Sequence, residues 1–142
     1  MEDRIKERFK EEVRNEPFAK RFGIELVDIG DGTAKVRMRS TPDMHNLFGM
    51  IHGGAIFALI DEAFETASNS HGTLAVALNM TLTYLKAPAM GVRLTAEAKE
   101  VHRTRKTATY DIRVTDETGA LIAVCQALVY RKGTPLPFLD AV

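Results

Sequence analysis

Asn46, His52, Gly53, Gly54 and Asp61 fall within one stretch of the chain, and their types could do chemistry together. The Gly pair opens a run that is apolar on almost every side until Asp61 and Glu62 interrupt it. If a helix begins near Gly53, its first amides lack intrahelical acceptors and project with the positive end of the helix dipole. Such amides can hold an anion or a developing oxyanion. Glycine leaves them open to close approach by a ligand. Asn46 and His52 add polar side chains beside that terminus, which is the arrangement acyl chemistry needs. The plainer alternative is that two glycines only let the helix pack tightly against a strand.

Asp61 is the second half of the pattern. A carboxylate inside an apolar helix is costly unless it is paired, hydrated in a site, or used. Its setting should raise its pKa while leaving it ionised near neutrality. It could activate water as a general base, or attack as a nucleophile to give a mixed anhydride. Spacing then constrains the partnership. Eight residues of helix separate Asp61 from Gly53 by about 12 Å, at about 1.5 Å per residue. Groups that act on one carbonyl must converge within about 3 Å of it. Both can therefore serve one reaction only if Asp61 of one chain faces Gly53 of another, as antiparallel helices in a two-fold dimer would arrange. Glu62 and Glu65 read as outward or structural.

Other candidates are weaker. His45, His52, Asp61 and His71 invite a metal reading, but they lack i, i+3 or i+4 pairing and have no cysteine nearby, so no metal is expected. Ser68 and Ser70 lack a nucleophile-elbow context. Arg103, Arg105 and Lys106 form a basic hairpin tip suited to phosphate groups, though such a tip can equally be merely solvated. Cys125, among Ala123, Val124, Ala127 and Leu128, reads as a small buried thiol.

The surrounding elements must position these groups. Glu2 to Asn15 carries Ile5, Phe9 and Val13 at four-residue spacing, which predicts an amphipathic helix ended by Pro17. Phe22, Ile24, Leu26 and Ile29 begin a strand pattern, Asp31-Gly32 signals a hairpin, and Ala34, Val36 and Met38 alternate with charges. His71-Gly72 stops the central helix. Leu74 to Tyr84 alternates throughout, and Pro88 to Gly91 reads as a turn. Val92 to His102 and Ala108 to Val114 are strands with one inner face. Leu121 to Tyr130 is apolar on both faces and so central. Thr134-Pro135-Leu136-Pro137 reads as an unstructured tail.

The expected fold is α+β: an antiparallel sheet of five or six strands curled around the central helix, its last four strands pairable as a meander. At 142 residues the chain is most simply one domain, 1–142, with an N-terminal helix over 1–16 and a tail over 133–142. Nineteen basic and nineteen acidic residues cancel, which removes any bulk pull toward nucleic acid or an anionic membrane. No apolar run approaches the length that spans a bilayer. The charged start Met1-Glu2-Asp3-Arg4 has no signal-peptide core, so the cytoplasm is the expected location.

Asn-x-x-Gly-x-x-His-Gly-Gly, running into a helix with Asp61, resembles the hotdog-fold acyl-CoA thioesterases of the phenylacetate-pathway (PaaI-like) type. The resemblance extends from about Phe22 to Arg131 and includes Leu82-Thr83-Tyr84-Leu85-Lys86-Ala87-Pro88. It implies a sheet wrapped around the helix, a homodimer as the minimum unit and commonly a homotetramer. It also implies roles: Asn46 and the Gly53 amide polarise the thioester carbonyl from one subunit, and Asp61 of the other is base or nucleophile. His52 positions loop and thioester, Gly54 lies in the substrate-binding turn, and Arg103, Arg105 and Lys106 meet CoA phosphates. A helper hydroxyl found in some relatives is replaced here by Ala77, and Thr81 or Thr66 cannot be assigned to its place. The implied reaction is hydrolysis of an acyl-CoA to free acid and CoA without metal or organic cofactor, CoA being part of the substrate. The alternative is a module that binds acyl-CoA or a fatty acyl ligand without turnover.

Overall fold

The computed structural model describes residues 1–140. Helix α1 spans Asp3–Asn15, α2 spans Pro17–Phe22, and the central helix α3 spans Gly53–Asn69. The strands are β1 (Glu25–Gly30), β2 (Thr33–Arg39), β3 (Thr73–Tyr84), β4 (Arg93–Arg103), β5 (Thr107–Thr115) and β6 (Leu121–Pro135). They form one antiparallel sheet in the order β1-β2-β4-β5-β6-β3. Among the described residues, no helix is long and apolar enough to cross a membrane.

The inner face of the sheet is built for close approach of a helix. Ala34, Ala96, Ala98, Ala108, Ala123 and Ala127 are all buried on it, and Ala58, Ala63 and Ala67 are buried on α3. Small residues on both sides bring the axis of α3 near the sheet, while Leu59, Phe64, Leu94, Tyr110 and Ile112 fill the remaining volume. Phe64 and Tyr110 meet edge to face, with ring centroids 5.7 Å apart.

The alternating patterns of β2, β4 and β5 are realised as expected: Ala34, Val36 and Met38, then Leu94, Ala96 and Ala98, then Ala108, Tyr110, Ile112 and Val114 are buried. Four expectations need correction. The last four strands are not a simple meander, because β3 pairs with β6 rather than β4. β6 is apolar on both faces and takes a neighbour on each side, while the free edge of β4 is covered by β2. Residues 85–92 are thus a crossover from β3 to β4 rather than a hairpin, with the expected turn present at Met90-Gly91. Second, the alternation of β3 is broken by register shifts between Thr73 and Ala75 and between Ala77 and Asn79, so Ala75 faces inward but Leu78 is 57% exposed. Third, Pro17 does more than end α1: it is the first residue of α2, so Phe22 is helical and β1 begins only at Glu25. Fourth, the stretch 133–140 is ordered, with β6 running to Pro135 and a 3-10 turn over Pro137–Leu139. Leu136 is buried and the ring of Phe138 stacks edge-on against Phe9 of α1 at 5.2 Å. Residues 141 and 142 of the expected tail lie outside the described residues.

The hairpin at Asp31-Gly32 is fastened to the end of α3. The Gly32 amide donates to Ser70 Oγ at 2.7 Å, and the Glu100 amide donates to the Gly32 carbonyl at 2.8 Å. Gly32 has φ +74°, and a Cβ there would sit 2.9 Å from Glu100 Cβ, so only glycine fits. Glu100 in turn accepts from the Tyr110 hydroxyl at 2.9 Å, and His71 Nε2 lies 2.6 Å from the same carboxylate oxygen.

Burial raises the pKa of Glu100, but the bonds to His71 and Tyr110 and the charges of His71 and Arg103 outweigh it, leaving the carboxyl below its ordinary value. A carboxyl that is more acidic folded than unfolded stabilises the fold above its unfolded pKa, and that contribution is lost as pH falls through its folded value. Glu100→Gln should therefore flatten the loss of stability below about pH 4.5 in urea titrations run from about pH 3 to about pH 7. An acid limb as steep as that of the wild type would contradict the role assigned to Glu100.

Candidate active site

The start of α3 and the loop before it form one half of the site. Asn46 Oδ1 accepts from the amides of Phe48 at 2.9 Å and Met50 at 3.1 Å, and the Asn46 amide donates to the Met50 carbonyl at 2.7 Å. These bonds close the loop through Gly49, whose φ is +76°. With Oδ1 committed to two donors, the orientation of the amide group is set and Nδ2 is left as a donor. His52 is the N-cap of α3: its Nδ1 accepts from the Gly54 amide at 2.8 Å. The His52 proton must then sit on Nε2.

That cap decides which amides remain open. The Gly54 amide is already bonded to His52, whereas the Gly53 amide has no acceptor among the described residues. The glycines also have packing reasons. A Cβ on Gly53 would lie 3.0 Å from the ring and hydroxyl of Tyr84, and the Tyr84 hydroxyl donates to the Gly53 carbonyl at 2.8 Å. A Cβ on Gly54 would lie 3.0 Å from His52 Nδ1. A cavity of about 350 Å³ opens beside Gly53, lined by Met50, Ile51, Ile56 and residues 84–88.

Asp61 lines a different cavity, of about 230 Å³, with Phe64, Glu65, Ser68, Ala75, Val76, Ala77 and Val129. Its carboxylate has no hydrogen bond or ion pair among the described residues; burial first, then the charge of Glu16, raises its pKa. Cys125 is buried as expected, its thiol pushed up to about 11 by burial, with the Asp61 charge adding to the shift. Ala77 does lie beside Asp61. Thr81 lines another cavity with Asp111, Arg113 and Gln126, and the Thr66 hydroxyl donates to the Glu62 carbonyl at 2.8 Å. The hydroxyl in the Asp61 cavity belongs to Ser68, two helical turns further along the same stripe, where it donates to the Glu65 carbonyl at 3.2 Å.

The helix is not wrapped on all sides. Gly54, Phe57 and Glu65 are exposed and Asp61 is partly exposed, so one stripe of α3 is bare. Beside it runs β3, paired among the described residues only with β6, with Val76, Leu78 and Tyr84 exposed. Leu47 is 98% and Phe48 80% exposed at the tip of the Asn46 loop.

Of the two places the sequence leaves open for Glu62, outward or structural, it takes the structural one. It is 2% exposed rather than outward, and its carboxyl is pushed up to about 10 by burial, by contact with Glu16 and by the charges of Glu65, Glu16 and Asp61. Glu65 is pushed up to about 7 by the protein around its carboxyl and by Glu16 and Asp61. The histidines of the metal reading are not brought together: His71 is held by Glu100, His52 caps α3, and His45 sits on a β-bridge to Ile51. The basic tip between β4 and β5 is ordered by the Thr104 hydroxyl, which accepts from the amides of Lys106 and Thr107. Arg103 lies 3.8 Å from Glu100, while Arg105 and Lys106 are exposed. Arg131 of β6 donates to the Thr104 carbonyl at 2.8 Å and joins this basic group, an adjacency that only strand pairing brings about. Register across β3, β6 and β5 runs Ala77, Val129, Ala108, which puts the tip toward the Asp61 end of the sheet.

The sequence profile of the thioesterase superfamily matches residues 48–123. A protein of Archaeoglobus fulgidus is 39% identical over 137 residues, covering 96% of this chain and 87% of its own. The acyl-coenzyme A thioesterase PaaI of Escherichia coli is 35% identical over 119 residues, covering 84% of this chain and 85% of its own. The solved structure of the E. coli PaaI protein superposes with a TM-score of 0.86 at 32% identity, over 91% of this chain and 94% of that one. A hypothetical thioesterase protein of Streptococcus pneumoniae, solved with coenzyme A, superposes with a TM-score of 0.76 at 26% identity, over 80% of this chain and 88% of that one.

The His52 cap is testable by itself. His52→Ala should destabilise the fold by about 1 kcal/mol in chemical denaturation, and His52→Asn, which can still accept from the Gly54 amide, should recover most of it. Equal stability of all three proteins would mean that His52 is not an effective cap.

Proposed function

The chain belongs to the thioesterase superfamily, and we propose that it hydrolyses an acyl-CoA thioester to the free acid and CoA. One observation carries this reading: at the start of α3 the Gly53 amide lacks an acceptor and Asn46 is locked with Nδ2 as a donor, while an unpaired carboxylate lies further along the same helix. The named activity of the E. coli relative and the coenzyme A in the S. pneumoniae structure support the substrate class.

In this reading the thioester carbonyl lies against the Gly53 amide and Asn46 Nδ2. Both donors are fixed before substrate arrives, so charge developing on the carbonyl oxygen meets them without reorganisation. His52 holds the Gly54 amide and so sets the turn that presents Gly53. Asp61 of the opposing subunit either removes a proton from attacking water or adds to the carbonyl itself. A thiolate is a good leaving group, and an oxyanion hole with one carboxylate suffices without metal or organic cofactor. Arg103, Arg105 and Lys106 offer charge to the CoA phosphates.

What the single chain leaves bare supports a homodimer. The exposed stripe of α3 with Phe57 and Asp61 packs beside β3, whose outer edge is free, and the tip Leu47-Phe48 is bare apolar surface as well; an uncovered strand edge with apolar surface invites pairing. Antiparallel apposition of two α3 helices brings each Asp61 to the partner's Gly53 end and makes two sites. A tetramer of two such dimers is the proposed larger assembly, and the cytoplasm the proposed location.

Thiol release from a panel of aryl and fatty acyl-CoAs tests the reaction. Asp61→Asn should lower kcat by about 100-fold or more. Asn46→Asp keeps the acceptor for the Phe48 and Met50 amides but removes the Nδ2 donor, so it should also lower kcat by about 100-fold with the loop intact. Wild-type turnover by Asp61→Asn would remove Asp61 from the mechanism. Tight binding of acyl-CoA by the wild type without any turnover would favour a binding module instead.

A further inference from the structure

We propose that Glu16, Glu62 and Glu65 bind one hard divalent cation of Ca²⁺ size, pinning the corner between α1 and α2 to the central helix. A carboxylate oxygen from each of the three lies within 4.8 Å of the others, and no other such group of acidic, histidine or cysteine side chains occurs among the described residues. Glu62 supplies the closed end of the site. It is 2% exposed, and its Oε1 is buried with no hydrogen-bond partner. A buried carboxylate oxygen without a donor is costly, and crowding it with two more carboxylates adds repulsion to desolvation.

Nothing basic among the described residues compensates. None of the three forms an ion pair among the described residues, and Arg8, on the neighbouring helix, is paired with Glu11 and Glu12 instead. One shared proton could relieve a single Glu62–Glu16 contact but would leave the third carboxylate, with Asp61 beside it, unbalanced. A divalent cation serves all three at once. The donors are all oxygen, which selects hard ions over zinc or copper. Ca²⁺ accepts six to eight oxygens at about 2.3–2.6 Å in flexible geometry, which suits three carboxylates gathered from a corner and a helix better than the near-ideal octahedron at about 2.0–2.1 Å that Mg²⁺ demands. Access comes from a cavity of about 560 Å³ between α1, α3 and β3, which Glu16 and Glu65 line, and water from that cavity would complete the coordination.

The site is independent of the thioesterase reading, because it is tested without substrate. EDTA-treated full-length protein is titrated with CaCl₂ by calorimetry, and its Tm is followed as Ca²⁺ is added. The wild type should bind one Ca²⁺ per chain and gain Tm with concentration. Glu62→Gln and Glu65→Gln should each weaken binding by about tenfold or more. Glu62→Gln should leave the Tm of the Ca²⁺-free protein at or above the wild-type value, since it puts a neutral group of the same shape in the buried position. Glu12→Gln, in the same cavity but paired with Arg8, should bind as the wild type does. No Ca²⁺ binding by the wild type would overturn the proposal and leave a shared proton as the compensating charge. Binding unchanged in both Glu62→Gln and Glu65→Gln would overturn it in favour of loose surface carboxylates.

Discussion

An α-helix is a ruler, and this one fixes how far apart its two polar ends can be. The Gly53 amide and the Asp61 carboxylate share one rigid element, whose pitch holds them about 12 Å apart. The fold cannot bend α3 to bring them together, because its buried face is clamped by Leu59, Ala63, Phe64 and Ala67 against the alanine-lined sheet. Each group instead opens into its own cavity, one beside Tyr84 and one beside Ala77. The bare stripe that carries Phe57 and Asp61, together with the free edge of β3, is the surface across which a second copy would supply the missing half.

The residues at the helix start hold structure and chemistry in the same atoms. Gly53 must lack a side chain for Tyr84 to reach its carbonyl, and the same absence leaves its amide open. His52 binds the Gly54 amide, which selects the Gly53 amide as the one still free. Asn46 closes its loop with the oxygen of its side chain and keeps the nitrogen outward. The packing explanation of the Gly pair and the oxyanion explanation are therefore compatible, and each substitution there must be read for stability as well as for rate.

Much of this was legible in the residues. The inner faces of β2, β4 and β5, the Asp31-Gly32 hairpin, the helix from Gly53 and the amphipathic α1 follow from local periodicity and turn chemistry. What local pattern could not carry was pairing between distant segments. The place of β3 beside β6 depends on which edges remain free once β2 has taken β4. The bulges that turn Leu78 outward, the docking of Phe138 on Phe9 and the arrival of Arg131 at the basic tip are likewise long-range. The burial of Glu62 is long-range too. A charged residue next to Asp61 reads as outward or structural, and the corner at Glu16-Pro17, which brings Glu16 to the buried Glu62, belongs to a distant segment.

A shared site takes Gly53 and Asn46 from one chain and Asp61 from another. Co-expression of Asp61→Asn with Asn46→Asp tests it most directly, since each variant alone has two damaged sites. A mixed dimer would carry one intact site and one doubly damaged site. Random pairing of equal amounts should restore about a quarter of the wild-type thiol release per chain. Mixtures no more active than the two variants apart, despite confirmed exchange of subunits, would contradict a shared site and require both groups to act within one chain.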